Sequence, residues 1–173
     1  FGYRRLTEKK AVRGDIGIPR VLNLYENYTF WFTLLTTLGF RVMISGRSDH
    51  RLFEKGMESI PSENVCSPAT LVQGHIESLR EKGITTVFYP CVSYEQKQFK
   101  GQDNNFNCPV VATYPEVIRN NVACDGVAEF RLLTPFINLG NRDYLPGRLC
   151  EVFAEWEISE MEMRAALEAA WEE

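Results

Sequence analysis

Residues Asp15 to Ser45 read DIGIPRVLNLYENYTFWFTLLTTLGFRVMIS, and the reading of this stretch decides the fold. Asp15 to Leu22 (DIGIPRVL) has the β-branched, apolar character of a strand. Tyr28 to Leu38 is a strongly apolar helical segment that ends at Gly39, the residue suited to the left-handed stop of a helix. Phe40 to Ser45 (FRVMIS) reads as a second strand. Strand, helix and strand in close succession form a βαβ unit, in which the strands run parallel and the helix covers one face.

The alternation continues downstream. Asp49 to Gly56 suits a short helix, and Ile60 and Pro61 lead into a loop through Ser62, Glu63 and Asn64 to Cys66. From Pro68 to Lys82 the residues Leu71, Val72, Ile76 and Leu79 keep helical spacing, with Ser67 as N-cap, Pro68 at the first helical position and Gly83 as the stop. Thr85 to Tyr89 (TTVFY) is a third strand, with Pro90 and Cys91 just past its end. The polar stretch Ser93 to Asn107 is long enough to be a functional loop. Pro109 to Thr113 (PVVAT) reads as a fourth strand, Pro115 to Asn121 as a helix, and Glu129 to Leu133 as a fifth strand. The tail is helical over Leu145 to Trp156 and Ser159 to Trp171, where Ser159 and Glu162 have capping-box spacing. The expected fold is α/β: a three-layer, mostly parallel sheet of about four to five strands, Rossmann-like or flavodoxin-like, with C-terminal helices.

Upstream of the first strand, residues 1–14 gather Arg4, Arg5, Lys9, Lys10 and Arg13 and read as a solvated linker or N-terminal extension. Residues 15–173 form one domain. The chain opens on Phe1 and closes inside a helical pattern, so the expectation is a fragment of a larger multi-domain protein.

Composition narrows the function classes. A chain of 173 residues with 45% hydrophobic content has the apolar surface for a real core. A net charge of -4 disfavours nucleic acid as a partner. The apolar run from Phe30 to Phe40 falls short of the about 20 residues that a membrane span needs, and its aromatic triplet Phe30, Trp31 and Phe32 suits a core or a domain interface. Five cysteines without a CxxC pair fit neither a secreted disulfide framework nor a zinc ribbon, which points to a reducing cytoplasm.

Two of those cysteines stand out by topology. In a parallel α/β sheet the carboxyl ends of strands and the amino ends of the following helices share one edge, where ligands bind. Cys66 directly precedes a helix and Cys91 directly follows a strand, so both fall on that edge. The start of the helix after Cys66 favours thiolate over thiol, and irregularly spaced thiolates without a histidine set suit an iron–sulfur cluster better than zinc. Two ordinary buried thiols are the alternative. Cys108, ahead of the fourth strand, starts on the opposite edge and reaches the site as a third ligand only through the long preceding loop. Cys124, in a turn, and Cys150, on an apolar helical stripe, are assigned loop and core roles.

Around the thiols, His75 shares a helix face with Leu71 and Leu79 and is either a hydrogen-bonded core histidine or a group lining the site. Glu63 either accepts backbone N–H groups near Cys66 or is solvated. Tyr94 and Glu95 are candidates for lining the site, with solvent exposure as the plainer reading.

Four segments in order, Ile16 to Ser45, Gly56 to Ile76 (GMESIPSENVCSPATLVQGHI), Val87 to Glu95 (VFYPCVSYE) and Asn107 to Val122 (NCPVVATYPEVIRNNV), resemble the uncharacterised domain of large CoA-substrate-specific enzyme activases. That domain is similar in turn to the subunits of 2-hydroxyacyl-CoA dehydratases and benzoyl-CoA reductases, and the resemblance covers residues 11 to 173. It implies a 4Fe–4S cluster held by cysteines that match Cys66 and Cys91, with a further ligand from a second α/β domain that this chain lacks. The cluster would then be incomplete, or absent, in the fragment. The resemblance also implies an ATP-hydrolysing activator module and a CoA thioester as partners; no phosphate-binding glycine motif occurs in these residues. Thr70 stands where the family pattern has a lysine and Gln73 where it has a histidine.

The function expected from these readings is an iron–sulfur electron-transfer or reductase-like module of an ATP-dependent activase, inactive when isolated. Two alternatives remain open: a non-catalytic docking or scaffold domain, and a module that binds CoA or a nucleotide on the same edge.

Overall fold

The computed structural model describes residues 5–57, 65–97, 99–101, 103–122 and 130–173. Four parallel strands form the central sheet: β1 (Asp15–Ile18), β2 (Arg41–Ile44), β3 (Thr86–Phe88) and, two strands later in the chain, β5 (Arg131–Leu133). Their spatial order is β2-β1-β3-β5. The chain steps first to one side of β1 and then to the other, the flavodoxin-like order, with the change of direction between β1 and β3. Ile16, Ile18, Val42, Val87 and Phe88 are fully buried, as expected for strands covered on both faces.

The helices account for the two covers. α1 (Leu24–Thr37) lies between the sheet and the C-terminal helix α7 (Glu160–Glu172). Trp31 meets Phe88 of the sheet at 5.0 Å between ring centroids, and Phe30 meets Trp171 of α7 at 4.3 Å. The aromatic triplet is therefore core, apolar all round because the helix is buried on two sides. On the other cover, α2 (His50–Met57) crosses α4 (Val72–Arg80) through two glycines: a Cβ on Gly74 would stand 1.8 Å from the Leu52 carbonyl oxygen, and one on Gly56 2.5 Å from the Gly74 nitrogen. Gly39 and Gly83 adopt φ of 85° and 78°, the left-handed stops that the sequence predicts after α1 and α4.

Strand β4 (Cys91–Tyr94) and strand β6 (Phe136–Asn138) pair in parallel as a second, two-stranded sheet. Each begins just beyond a central strand, after Tyr89-Pro90 and Thr134-Pro135. The bonds Tyr89 N–H to Leu133 O and Cys91 N–H to Pro135 O, both 2.8 Å, join the two pairings into one ribbon that leaves the carboxyl edge of the sheet. The matched prolines lack an N–H and interrupt the ladder at the same level.

Several expected elements differ. Pro109 to Thr113 is the start of a helix, α5 (Pro109–Val122), and Pro115 lies inside it. The Val-Val-Ala-Thr run has strand propensity, but Tyr114 and Ile118 at helical spacing are buried where α5 packs along β4, and tertiary burial overrides propensity. Thr113 Oγ1 donates to the Pro109 carbonyl at 2.8 Å, so its hydroxyl is satisfied within the first turn. The single helix expected from Pro68 to Lys82 is broken at Leu71 into α3 (Ser67–Thr70) and α4, and Cys66, not Ser67, occupies the N-cap position. The tail helix α6 (Leu145–Val152) passes into a 3-10 turn over Ala154–Trp156. Ser159 caps α7 by accepting Glu162 N–H at 3.2 Å. The Glu162 carboxylate turns to Arg13 at 2.6 and 3.1 Å, so one cation of the basic N-terminal cluster is tied to the C-terminal helix.

Candidate functional site

The carboxyl ends of β1, β2 and β3 bring the candidate residues to one edge. Behind β2, Ser45 is buried and accepts the Arg20 backbone N–H at 2.7 Å. His75, fully buried on α4, lies 2.7 Å from Ser45 Oγ through Nδ1 and 3.0 Å from Ser48 Oγ through Nε2. Burial lowers its pKa to about 4, and the Arg20 charge acts in the same direction. The imidazole is neutral at pH 7 and engaged at both nitrogens.

Past β3 the chain places Tyr89 and Cys91. Cys91 is fully buried at the first position of β4, facing α5. Burial pushes its thiol up to about 11, while the backbone N–H of Glu116 on α5 pulls the other way by bonding the sulfur. The Glu116 carboxylate is itself held by the Thr134 hydroxyl and by Arg119 at 2.6 Å. Tyr89 is 1% exposed, and its hydroxyl has no hydrogen-bond partner among the described residues. Burial raises the Tyr89 phenol, and Cys91, Tyr114 and Cys66 raise it further. Cys66 acts on Tyr114 as well. Cys66 and Cys91 are both within electrostatic reach of this one buried phenol.

The two thiols differ in surroundings. Cys66 is exposed and precedes a helix of one turn before the bend at Leu71, too short to collect the dipole that the sequence reading gave it. Cys108 is exposed and its carbonyl accepts the first bond of α5, from Ala112 N–H at 3.1 Å. It therefore starts a helix on the carboxyl edge, not a strand on the opposite one. Its distance from the level of Glu116, and so of Cys91, is about 12 Å at 1.5 Å per residue. Cys150 is half-buried against the core. Glu63 and Cys124 lie outside the described residues.

Tyr94 and Glu95 are half-buried rather than open to solvent. Glu95 accepts the side-chain amides of Asn107 at 2.7 Å, Asn27 at 3.0 Å and Asn23 at 3.3 Å, which pins the ribbon to the start of α1. Tyr94 packs edge-on against Phe106 at 4.8 Å. Both residues organise the loop from 95 to 107. Of the positions that depart from the resembled pattern, Thr70 spends its hydroxyl on the Ser67 carbonyl at 2.7 Å, and Gln73 is buried.

Sequence reasoning missed Arg20, Ser45 and Ser48 around His75, Tyr89 and Tyr114 around the thiols, and the asparagines around Glu95. A polar residue just past a strand, as Arg20 and Ser45 are, was the available signal. Among the described residues no three His, Cys, Asp or Glu side chains converge on a point that a metal would occupy. No helix among them is long and apolar enough to cross a membrane.

Comparison with known proteins adds one result. The family model for the CoA enzyme activase uncharacterised domain matches residues 15–173. No curated protein and no solved structure matches the chain.

Proposed function

Because the chain belongs to the family of the CoA enzyme activase uncharacterised domain, we propose that it is an iron–sulfur, electron-transfer module of a CoA-substrate-specific enzyme activase, with Cys66 and Cys91 as two of the cluster's thiolate ligands. The observation that carries this reading is the buried Tyr89 hydroxyl at the end of β3, without a partner among the described residues, with buried Cys91 two residues on and Cys66 within electrostatic reach of the same phenol. The donor set fits part of a cluster: thiolates suit iron–sulfur chemistry, and two of them leave the remaining ligands to other domains of the protein.

A bound cluster would supply one-electron storage at low potential. The residues of this chain would do the rest. Cys91 holds from the dry side; its thiol is neutral at pH 7, so loading releases a proton there, and the Glu116 N–H then meets a thiolate. Cys66 holds from the exposed side, where a partner has access. Tyr89 keeps a hydroxyl proton for which the described residues supply no acceptor, a donor suited to a thiolate. The electron source in this reading is an ATP-hydrolysing activator module, and the substrate is a CoA thioester; both follow from the family and from the resemblance to 2-hydroxyacyl-CoA dehydratases. The setting is a reducing cytoplasm.

The experiment is anaerobic purification of the intact protein followed by visible absorbance and electron paramagnetic resonance after reduction. Thiolate-to-iron charge-transfer bands and a reducible paramagnet support the reading. A colourless, iron-free protein from strictly anaerobic cells sinks it.

A further inference from the structure

A cavity of about 270 Å³ opens on the same edge, outside the carboxyl ends of β1 and β2. Its polar lining is Arg20, Ser48, His75 and Glu26, and its apolar walls include Val21, Leu22, Pro68 and Leu71. No cysteine is among the described residues that line it.

Arg20 is the unusual member. Its guanidinium lies over the rings of Tyr25 and Tyr28, 5.1 and 5.8 Å from their centroids, an arrangement that fixes its plane. Its Nε is buried without an acceptor, and no carboxylate pairs with it among the described residues. A buried charged donor left unpaired is costly, and such a group marks a place where an acceptor is taken up. The neighbouring Leu22 holds φ of 47°, a left-handed conformation that a bulky side chain rarely adopts outside functional loops.

The geometry points to a binding site for a small aliphatic carboxylic acid, its carboxylate on Arg20 and Ser48 and its hydrocarbon body against Val21, Leu22, Pro68 and Leu71. Charge argues against a dianion. Arg20 is offset by the Glu26 carboxylate and His75 adds no charge, so a phosphate dianion finds no surplus of cations, and a carboxylate is held through the Arg20 fork and not by net charge. The planar fork of arginine matches a carboxylate in a bidentate pair. Volume selects it too, because about 270 Å³ is small even for a ligand site and far from room for a nucleotide. This site is independent of the iron–sulfur reading, and its test contains no iron.

The test is an NMR titration of the isotope-labelled chain with isovalerate, with isovaleramide as the uncharged analogue and inorganic phosphate as the alternative oxyanion. Isovalerate is expected to shift the Arg20 Nε–H and the Leu22 and Ser48 amides saturably, at least tenfold more tightly than either control. Arg20→Gln should abolish the effect. Arg20→Lys, which keeps the charge and loses the fork, should weaken it about tenfold, and Ser48→Ala about threefold. Should Arg20→Gln fail to fold, the lysine and alanine variants decide. Phosphate binding as tightly as isovalerate, isovaleramide binding equally well, a spectrum with no saturable change, or undiminished binding in these variants would each overturn the assignment.

Discussion

The Cys91 sulfur receives the backbone N–H of Glu116, across the contact between β4 and α5. Together with the Thr134 hydroxyl on the Glu116 carboxylate, it ties the ribbon to the helix that the sequence disguises as a strand. Cys66 is exposed and Cys91 buried, so the two thiols differ in access.

That difference is measurable. Burial raises the Cys91 thiol to about 11, so little thiolate forms at pH 8 and reagent has no path to it. In an iodoacetamide pulse read by mass spectrometry, Cys66 and Cys108 should be modified at pH 8 while Cys91 stays intact until the pH nears 11 or the chain unfolds. Equal labelling of Cys91 and Cys66 in the folded protein would contradict the burial.

His75 sets a dependence on acid. Its folded pKa of about 4 lies below the unfolded 6.5. The associated stability is present above pH 6.5 and is lost as pH falls through that value toward 4. At 1.36 kcal/mol per pH unit the loss is at most about 3 kcal/mol. His75→Gln should be less stable at pH 7 by about 1–3 kcal/mol, having disturbed the Ser45 and Ser48 bonds, but should lose less on acidification. Urea midpoints at pH 7 and 4.5 compare the two slopes, and parallel slopes would exclude His75 as the titrating group.

The crossing of α2 and α4 predicts an intolerant glycine. Alanine at Gly74 gains about 1 kcal/mol in helix propensity. Its Cβ, however, would sit 1.8 Å from the Leu52 carbonyl, a backbone atom that cannot swing away. Gly74→Ala should cost about 3 kcal/mol or more, seen as a lower denaturation midpoint. Alanine at Gly147 on α6, where a Cβ meets nothing within 4 Å, serves as the control and should stabilise by up to about 1 kcal/mol, the propensity gain without the clash.

Much of this architecture was legible in the sequence, for identifiable reasons. The strand read over Asp15 to Leu22 ends at Ile18, but its buried first half and the partly buried edge strand Arg41–Ile44 flank an apolar helix closed by Gly39, so local pattern and tertiary role agree there. The same agreement holds for the Ser159 cap of α7. PVVAT misled because its β-branched residues were read without the Tyr114 and Ile118 spacing that follows them. The ribbon escaped notice because CVSY and FIN are short and sit behind prolines; the repeated step, Tyr89-Pro90 and Thr134-Pro135, was the signal. At the site, strand ends and helix starts located Cys66 and Cys91 on one edge. The buried environment of Tyr89 and the amide cage around Glu95 depend on contacts between distant segments and leave no local trace.

The position of Cys108 gives a last variant. About two turns of α5 separate it from the level of Cys91. Cys108→Ser should therefore keep whatever iron the intact protein binds.

The most direct measurement is the iron and acid-labile sulfide content of the intact protein, purified anaerobically, beside its Cys66→Ser and Cys91→Ser variants. Iron and sulfide present in the parent and sharply reduced in both folded variants is the predicted result. Iron retained undiminished in either variant, or a parent free of both elements, would contradict the assignment of Cys66 and Cys91 as one ligand pair.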